Sequence, residues 1–237
     1  MILQIDLHNF KTWVGDTNIS LAPISLFLGT NSSGKSSIIQ SLLLLKQTVT
    51  SPDRSIHLNL GGDESIDLLD LGDFSDIVSR GEKELGIGLR FQRDDDEAPL
   101  GFAARYRRIT SGAPTLFELQ LSDGERTFRV SRKAKGAYAL YVGDRTEAWL
   151  SKREFSPERS ISFSSEAIDA LRREDWVSPT DLTSVQDIGL ALTKELEAIS
   201  YLGPLRRKAR RGYDWNRVRP GLVGEDGRNA VPALIAA

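Results

Sequence analysis

Apolar and polar positions change period twice within the first fifty residues. Ile2 to Phe10 alternates in the manner of a half-buried strand, Gly15-Asp16 signals a turn, and Thr17 to Leu21 reads as the returning strand. Ile24 to Leu28 is then an apolar run of β-compatible composition, which predicts a third strand. Beyond a stretch of small polar residues the period becomes helical, with Ile38, Ile39, Leu42, Leu43 and Leu45 on one face. The segment SPDRSIHLNLGGDES is rich in turn formers, and IDLLDLGDFSDIV reads as a strand or strand-turn.

Alternation resumes in Leu85 to Gln92, Phe102 to Ile109, Thr115 to Leu121, Arg126 to Arg132 and Ala137 to Val142, with turn signals between them. These five segments predict an antiparallel meander, in which Asp123-Gly124 is a strong hairpin turn. From Arg153 the period is helical again, over 164 to 176 and 180 to 200, broken at Ser178-Pro179. Leu182, Val185, Ile188, Leu192, Leu196 and Ile199 give the second helix an apolar face, expected to pack internally. The division that follows is 1–60 for the hairpin, third strand and first helix, 61–150 for the antiparallel region, 151–200 for the helices, and 201–237 for the remainder.

Composition narrows the class. With 237 residues, 40% of them hydrophobic and 27% charged, the chain has material for a substantial core and does not read as disordered. It contains no cysteine, so it has neither a disulfide framework nor a thiolate nucleophile, which fits a reducing cytoplasm. The opening MILQIDLHNFK is unlike a signal peptide, and the run Leu42 to Leu45 is too short to span a membrane. A formal net charge of −2 gives no global attraction to nucleic acid.

The candidate chemistry lies between the third strand and the first helix. Gly29, Gly34, Lys35 and Ser36 fill the fixed positions of G-x-x-x-x-G-K-[ST], the Walker A phosphate-binding loop, within the sequence GTNSSGKSS. Two glycines let the backbone turn tightly and aim its N–H groups inward at the α- and β-phosphates of a nucleotide. Lys35 is placed to reach the β- and γ-phosphates, Ser36 to give its hydroxyl to Mg²⁺, and the helix start to add its positive dipole end. Asn31, Ser32, Ser33 and Ser37 complete the expected cradle, and ATP with Mg²⁺ is the expected cofactor.

The N-terminal hairpin with HNFKTW, followed at once by GTNSSGKSS, resembles the ATPase heads of the OLD, RecF and SMC families, a branch of the ABC-type ATPases. Asn31 and the run Ser33-Gly34-Lys35-Ser36-Ser37 match their G-x-N-x-S-G-K-S-S pattern. The resemblance implies an α/β fold of the P-loop NTPase, ABC-ATPase-head type, here with the antiparallel meander and a helical segment. It also places Lys11, and with it Thr12, near the nucleotide. Further on, LLLLKQT, LNLGGD, DLGDFSDIV and YLGPLR, with the V-G-x-x-G-x-x-A-V-x-x-L phrase, resemble bacterial AAA family ATPases close to the OLD proteins. In that group YLGPLR stands ahead of the signature, Walker B and switch-histidine motifs. The chain therefore reads as the N-terminal part of a head, reaching residue 237 inside an expected helix, Asn229 to Ala237. Such heads sandwich two nucleotides between two subunits, so the resemblance implies an ATP-dependent homodimer and an effector partner.

Two passages imitate the later motifs. Leu121-Ser122-Asp123-Gly124-Glu125 looks like the ABC signature and YALYVGD like a Walker B strand ending at Asp144. A signature must open a helix, yet RTFRVSRK after it alternates like a strand, and Arg145 stands where a catalytic Glu belongs. No catalytic residue is assigned, and Gln47 and Gln92 are weak candidates for the Q-loop glutamine. A P-loop kinase or GTPase fits poorly, because no N-K-x-D base-reading motif is present.

Two charge clusters remain. Asp94 to Glu97 reads as a solvated turn. Arg206, Arg207, Lys208, Arg210, Arg211, Arg217 and Arg219 form the strongest local asymmetry, able to grip DNA or RNA phosphates through salt-dependent contacts or to remain a solvated loop. Trp149, Trp176 and Trp215 are scattered and read as core or boundary aromatics. Two functions follow: an ATPase head acting in DNA maintenance or anti-phage defence, or a nucleotide-sensing module that binds ATP without turning it over.

Overall fold

The computed structural model describes residues 1–63, 67–93, 98–108, 114–133, 137–143, the backbone of 145–150, and 161–203, 227 and 229–235; the side chains of 232 and 233 are excepted. Its frame is one antiparallel sheet in the order β2-β1-β3-β4-β5-β6-β7-β8. The strands are β1 (Ile2–Phe10), β2 (Trp13–Ser20), β3 (Glu84–Phe91), β4 (Leu100–Arg107), β5 (Thr115–Ser122), β6 (Thr127–Arg132), β7 (Tyr138–Val142) and β8 (Arg145–Leu150). The helices are α1 (Lys35–Thr50), α2 (Phe74–Ile77), α3 (Ser165–Arg172), α4 (Pro179–Ala198) and α5 (Ala230–Ile235).

Period-two alternation becomes two unlike sheet faces. One register row runs Leu7, Ile87, Ala104, Leu119, Val130 and Leu140 across six strands, and every member is buried. The alternate row runs His8, Gly86, Arg105, Glu118 and Ser131. Apolar side chains on one face and polar ones on the other are what fix the register, since a slip of one residue would exchange the faces.

Helix α1 is enclosed more fully than a single apolar stripe requires. The consecutive residues Leu43 to Val49 are all buried, so its second half is covered all round, whereas Ile39 of the expected face is exposed. Burying leucines such as Leu43, Leu44 and Leu45 contributes roughly 2 kcal/mol each, several times what helix propensity supplies. The buried Lys46 ammonium donates to the Glu197 carbonyl at 2.6 Å, satisfying the C-terminal end of α4. Burial lowers the Lys46 pKa, opposed by the nearby Glu197 charge.

The other end of α4 meets the β5–β6 turn. There Arg126 pairs with the buried Asp181, and Ser184 donates to Asp123. Asp181 also accepts from the backbone N–H and hydroxyl of Ser178, the residue before the helix. LSDGE is accordingly a hairpin turn: Asp123 Oδ1 accepts the Glu125 and Arg126 N–H groups, and β6 follows directly. Asp144 and Asp94 to Glu97 lie outside the described residues.

Two segments differ from expectation. Ile24 to Leu28 is not part of the sheet, and Ile24, Leu26 and Leu28 are 92%, 79% and 81% exposed. Its composition is that of a strand buried between neighbours, and among the described strands none pairs with it. The sheet is thus antiparallel throughout its described strands, not the parallel layer a phosphate-loop strand implies. DLGDFSDIV forms the short α2, because Asp73 and Asp76 close a reciprocal capping box around its first turn.

The chain divides into two compact units, Met1–Glu197 and Ala198–Ala237. In the second, α5 carries the exposed Leu234 and Ile235, and Gly227 lies against Leu202. Of the phrase YLGPLR, Tyr201 to Gly203 is described, and Arg206 to Arg219 lie outside the described residues. Among the described residues no helix is long and apolar enough to cross a membrane.

Candidate nucleotide-binding site

The loop between Leu28 and α1 is shaped by two glycines with different neighbours. Gly34, the N-cap of α1, has φ 91°, and a Cβ there would lie 2.6 Å from Thr12 Oγ1 and 2.9 Å from Trp13 Nε1. A Cβ on Gly29 would meet Ser33 Oγ at 2.8 Å. Only glycine lets the hairpin tip approach the first turn of α1 so closely. Ser32, at φ 65°, is a non-glycine residue in the left-handed region, a strained conformation of the kind that concentrates at ligand sites.

Lys35 spans the loop. Its ammonium donates to the carbonyls of Gly29 and Thr30 and lies 3.3 Å from Ser33 Oγ. Ser36 sits exposed on the first turn of α1, Asn31, Ser32 and Ser33 are exposed along the loop, and Ser37 is buried. Among the described residues no side chain caps α1, and no acidic residue lies in its first turn. A 16-residue helix whose N-terminal amides have no side-chain partner, beside a lysine ammonium, is a donor set suited to phosphate. The residues present therefore fit a nucleotide: backbone N–H groups from Gly29 to Ser36 and the Lys35 ammonium would hold its phosphates, and the Ser36 hydroxyl its Mg²⁺. Mg²⁺ would supply charge neutralisation between the phosphates.

The β1–β2 hairpin brings its tip onto this loop. Lys11 has φ 53°, and its N–H donates to the Ile77 carbonyl at 2.7 Å. Ser79, fully buried, places its hydroxyl between the carbonyls of Lys11 and Trp13, and its N–H donates to the Asn9 carbonyl. The tip is thereby held by the α2 segment from below. Lys11 Nζ reaches Gln40 on α1 at 2.8 Å; burial lowers its pKa, with the Asp76 carboxylate acting in the opposite sense. Thr12 stands exposed over Gly34, and the Trp13 indole N–H donates to the Gly34 carbonyl at 3.2 Å.

Lys11, Thr12 and the loop are thus brought together, though Lys11 is directed at α1 and not into the loop. Two further residues of this junction, Trp13 and Gln40, belong to no motif in the sequence. Trp13 carries a usable signal, an aromatic two residues after the basic position, whereas nothing local distinguishes Gln40. Neither weak Q-loop candidate is near. Gln47 lies twelve residues along α1 from Lys35, about 18 Å. It bridges the Asn59 carbonyl and the Leu69 backbone and so pins a loop. Gln92 donates its N–H to the Met1 carbonyl, ten residues along the strand from Lys11, about 30 Å away.

A phosphate loop opening a helix, with a hairpin tip fixed over its last glycine, defines a P-loop nucleotide-binding domain. The particular family follows from comparison: residues 1–183 match the AAA ATPase domain, and the chain belongs to that family. No curated protein matches the chain. Nucleotide binding of the ATPase type is therefore its function at the level of class, and in this family the nucleotide is typically held with Mg²⁺.

Proposed function

We propose that this chain is the ATP-binding portion of an ABC-type head of the OLD, RecF and SMC kind. It works as an ATP-dependent dimer with an effector partner, in the cytoplasm, in DNA maintenance or anti-phage defence. The observation that carries this reading is the joining of the Walker A loop to the tip of an antiparallel hairpin, Thr12 and Trp13 lying against Gly34. One further feature supports a site completed by another segment or subunit. The strand-like Ile24, Leu26 and Leu28 expose an apolar row that a neighbouring strand would cover. The basic residues Arg206, Arg207, Lys208, Arg210 and Arg211 are the part of the chain suited to DNA or RNA phosphates.

A second reading, a nucleotide-sensing module that binds ATP without hydrolysing it, is favoured by the LSDGE passage, which forms a hairpin turn leading into a strand and opens no helix. One experiment separates them: equilibrium binding of MgATP with Lys35→Ala as control, followed by phosphate release from the same sample. Binding lost in the variant is expected. Turnover abolished by Lys35→Ala would identify a self-sufficient ATPase and overturn the sensing module. Absence of binding by the wild-type chain would overturn both.

A further inference from the structure

We infer that Trp13 is a positioning residue for the nucleotide phosphates, acting through the Gly34–Lys35 peptide; the inference rests on the nucleotide-binding reading above. The Gly34 carbonyl accepts from the Ser37 N–H at 3.0 Å, from the Ile38 N–H at 3.4 Å, and from the Trp13 indole at 3.2 Å. The first two are bonds any α-helix start provides. The third comes from outside the helix and fixes the carbonyl laterally.

A trans peptide is planar, so its C=O and N–H point in opposite directions. Holding the Gly34 carbonyl against Trp13 therefore holds the Lys35 N–H on the opposite side of the same plane. That N–H belongs to the first turn of α1, among the amides that no side chain caps. Gly34, at φ 91°, lies in a region open to several backbone conformations, so this peptide is held by an external restraint that glycine itself does not supply.

The indole can serve because its own frame is fixed. Trp13 pairs with Phe10 across the hairpin, its carbonyl faces the buried Ser79 hydroxyl, and its ring edge sits against Gly34 in the place a Cβ would take. A second link, Lys11 to Gln40, ties the same hairpin tip to α1 five residues beyond Lys35. Two attachments set the angle of the helix start. The ring's N–H is engaged by the loop backbone, and that link runs to the phosphate-binding peptide, not to a base.

The test is titration of the full chain with MgATP and with magnesium tripolyphosphate, which has no base. Three proteins are compared: wild type, Trp13→Phe, and Trp13→benzothienylalanine, in which sulfur replaces the indole N–H and the ring shape is kept. Loss of one hydrogen bond is expected to weaken both ligands alike, by about three- to tenfold. The analogue keeps the ring packing, so it should unfold at the wild-type temperature without ligand; a purely structural role for the ring predicts wild-type affinities for it. Weakening confined to MgATP would mean a base contact and overturn the inference, as would unchanged affinity for both ligands. Failure of the wild-type chain to bind MgATP would instead overturn the nucleotide-binding reading, and the inference with it.

Discussion

Lys11 on the β1–β2 hairpin and Gln40 on α1 are joined by a 2.8 Å hydrogen bond between residues 29 positions apart. The bond is partly buried, and desolvation lowers the Lys11 pKa, so its amide partner carries weight that water would otherwise supply. A double-mutant cycle with Lys11→Met and Gln40→Leu should show coupling of about 0.5–1.5 kcal/mol in urea unfolding, because either change alone removes the same bond. Additive effects would mean that the two side chains do not act as a pair.

Gly34→Ala and Lys35→Ala should fail differently. The alanine Cβ would press on Thr12 Oγ1 and the Trp13 ring at a φ of 91°, so the first variant should lose about 1–3 kcal/mol of stability along with nucleotide binding. Among the described residues Lys35 is anchored only within its own loop, through Gly29, Thr30 and Ser33, so its truncation should abolish MgATP binding and leave the ligand-free unfolding temperature nearly unchanged. Thermal unfolding with and without MgATP reads both quantities.

Much of this fold is legible as pattern. Strands β3 to β7 follow the alternation because one face of the sheet is buried row by row and the other is polar, as the pairing of Leu119 with Val130 and of Glu118 with Ser131 shows. The phosphate loop is legible because its chemistry demands fixed spacing. Ile24 to Leu28 misleads for a physical reason: an apolar run reports that burial is wanted, whereas burial itself needs a neighbour elsewhere. Gln40 is hidden for the related reason that it acquires its role only when the hairpin folds over α1, whereas Trp13 shows in the sequence as an aromatic two residues after Lys11. The α2 capping box is written in Asp73 and Asp76, within a segment whose apolar residues read as a strand.

His57 makes the domain sensitive to mild acid. Its Nδ1 accepts the Leu116 N–H at 2.8 Å, and burial, helped by the Arg132 charge, lowers its pKa to about 4. The unfolded chain, with an ordinary histidine, takes up its proton nearer pH 6.5. Stability from this residue is therefore complete above about pH 6.5 and is lost progressively as the pH falls toward 4, by on the order of 1–3 kcal/mol. Urea midpoints between pH 7.5 and 4.5 should decline less steeply in His57→Gln, which keeps an acceptor without the titration. Equal slopes would remove His57 from the account.

The pairing of Arg126 with Asp181 is the attachment of α4 to the sheet most exposed to failure. Asp181 is buried and depends on Arg126 and Ser178 for its charge, while Ser184 to Asp123 offers a second, more exposed link. Arg126→Met removes the half-exposed partner of a buried carboxylate that keeps Ser178, and should cost about 1–2 kcal/mol, whereas Arg126→Met combined with Asp181→Leu should recover part of it, since apolar pairs can replace ion pairs at little loss. Hydrogen exchange in the first two turns of α4 should rise in the single variant before that in β5 and β6, because the helix end would loosen while the sheet rows stay intact. If exchange rose equally throughout, the ion pair would be holding the whole sheet, and the attachment would not be local.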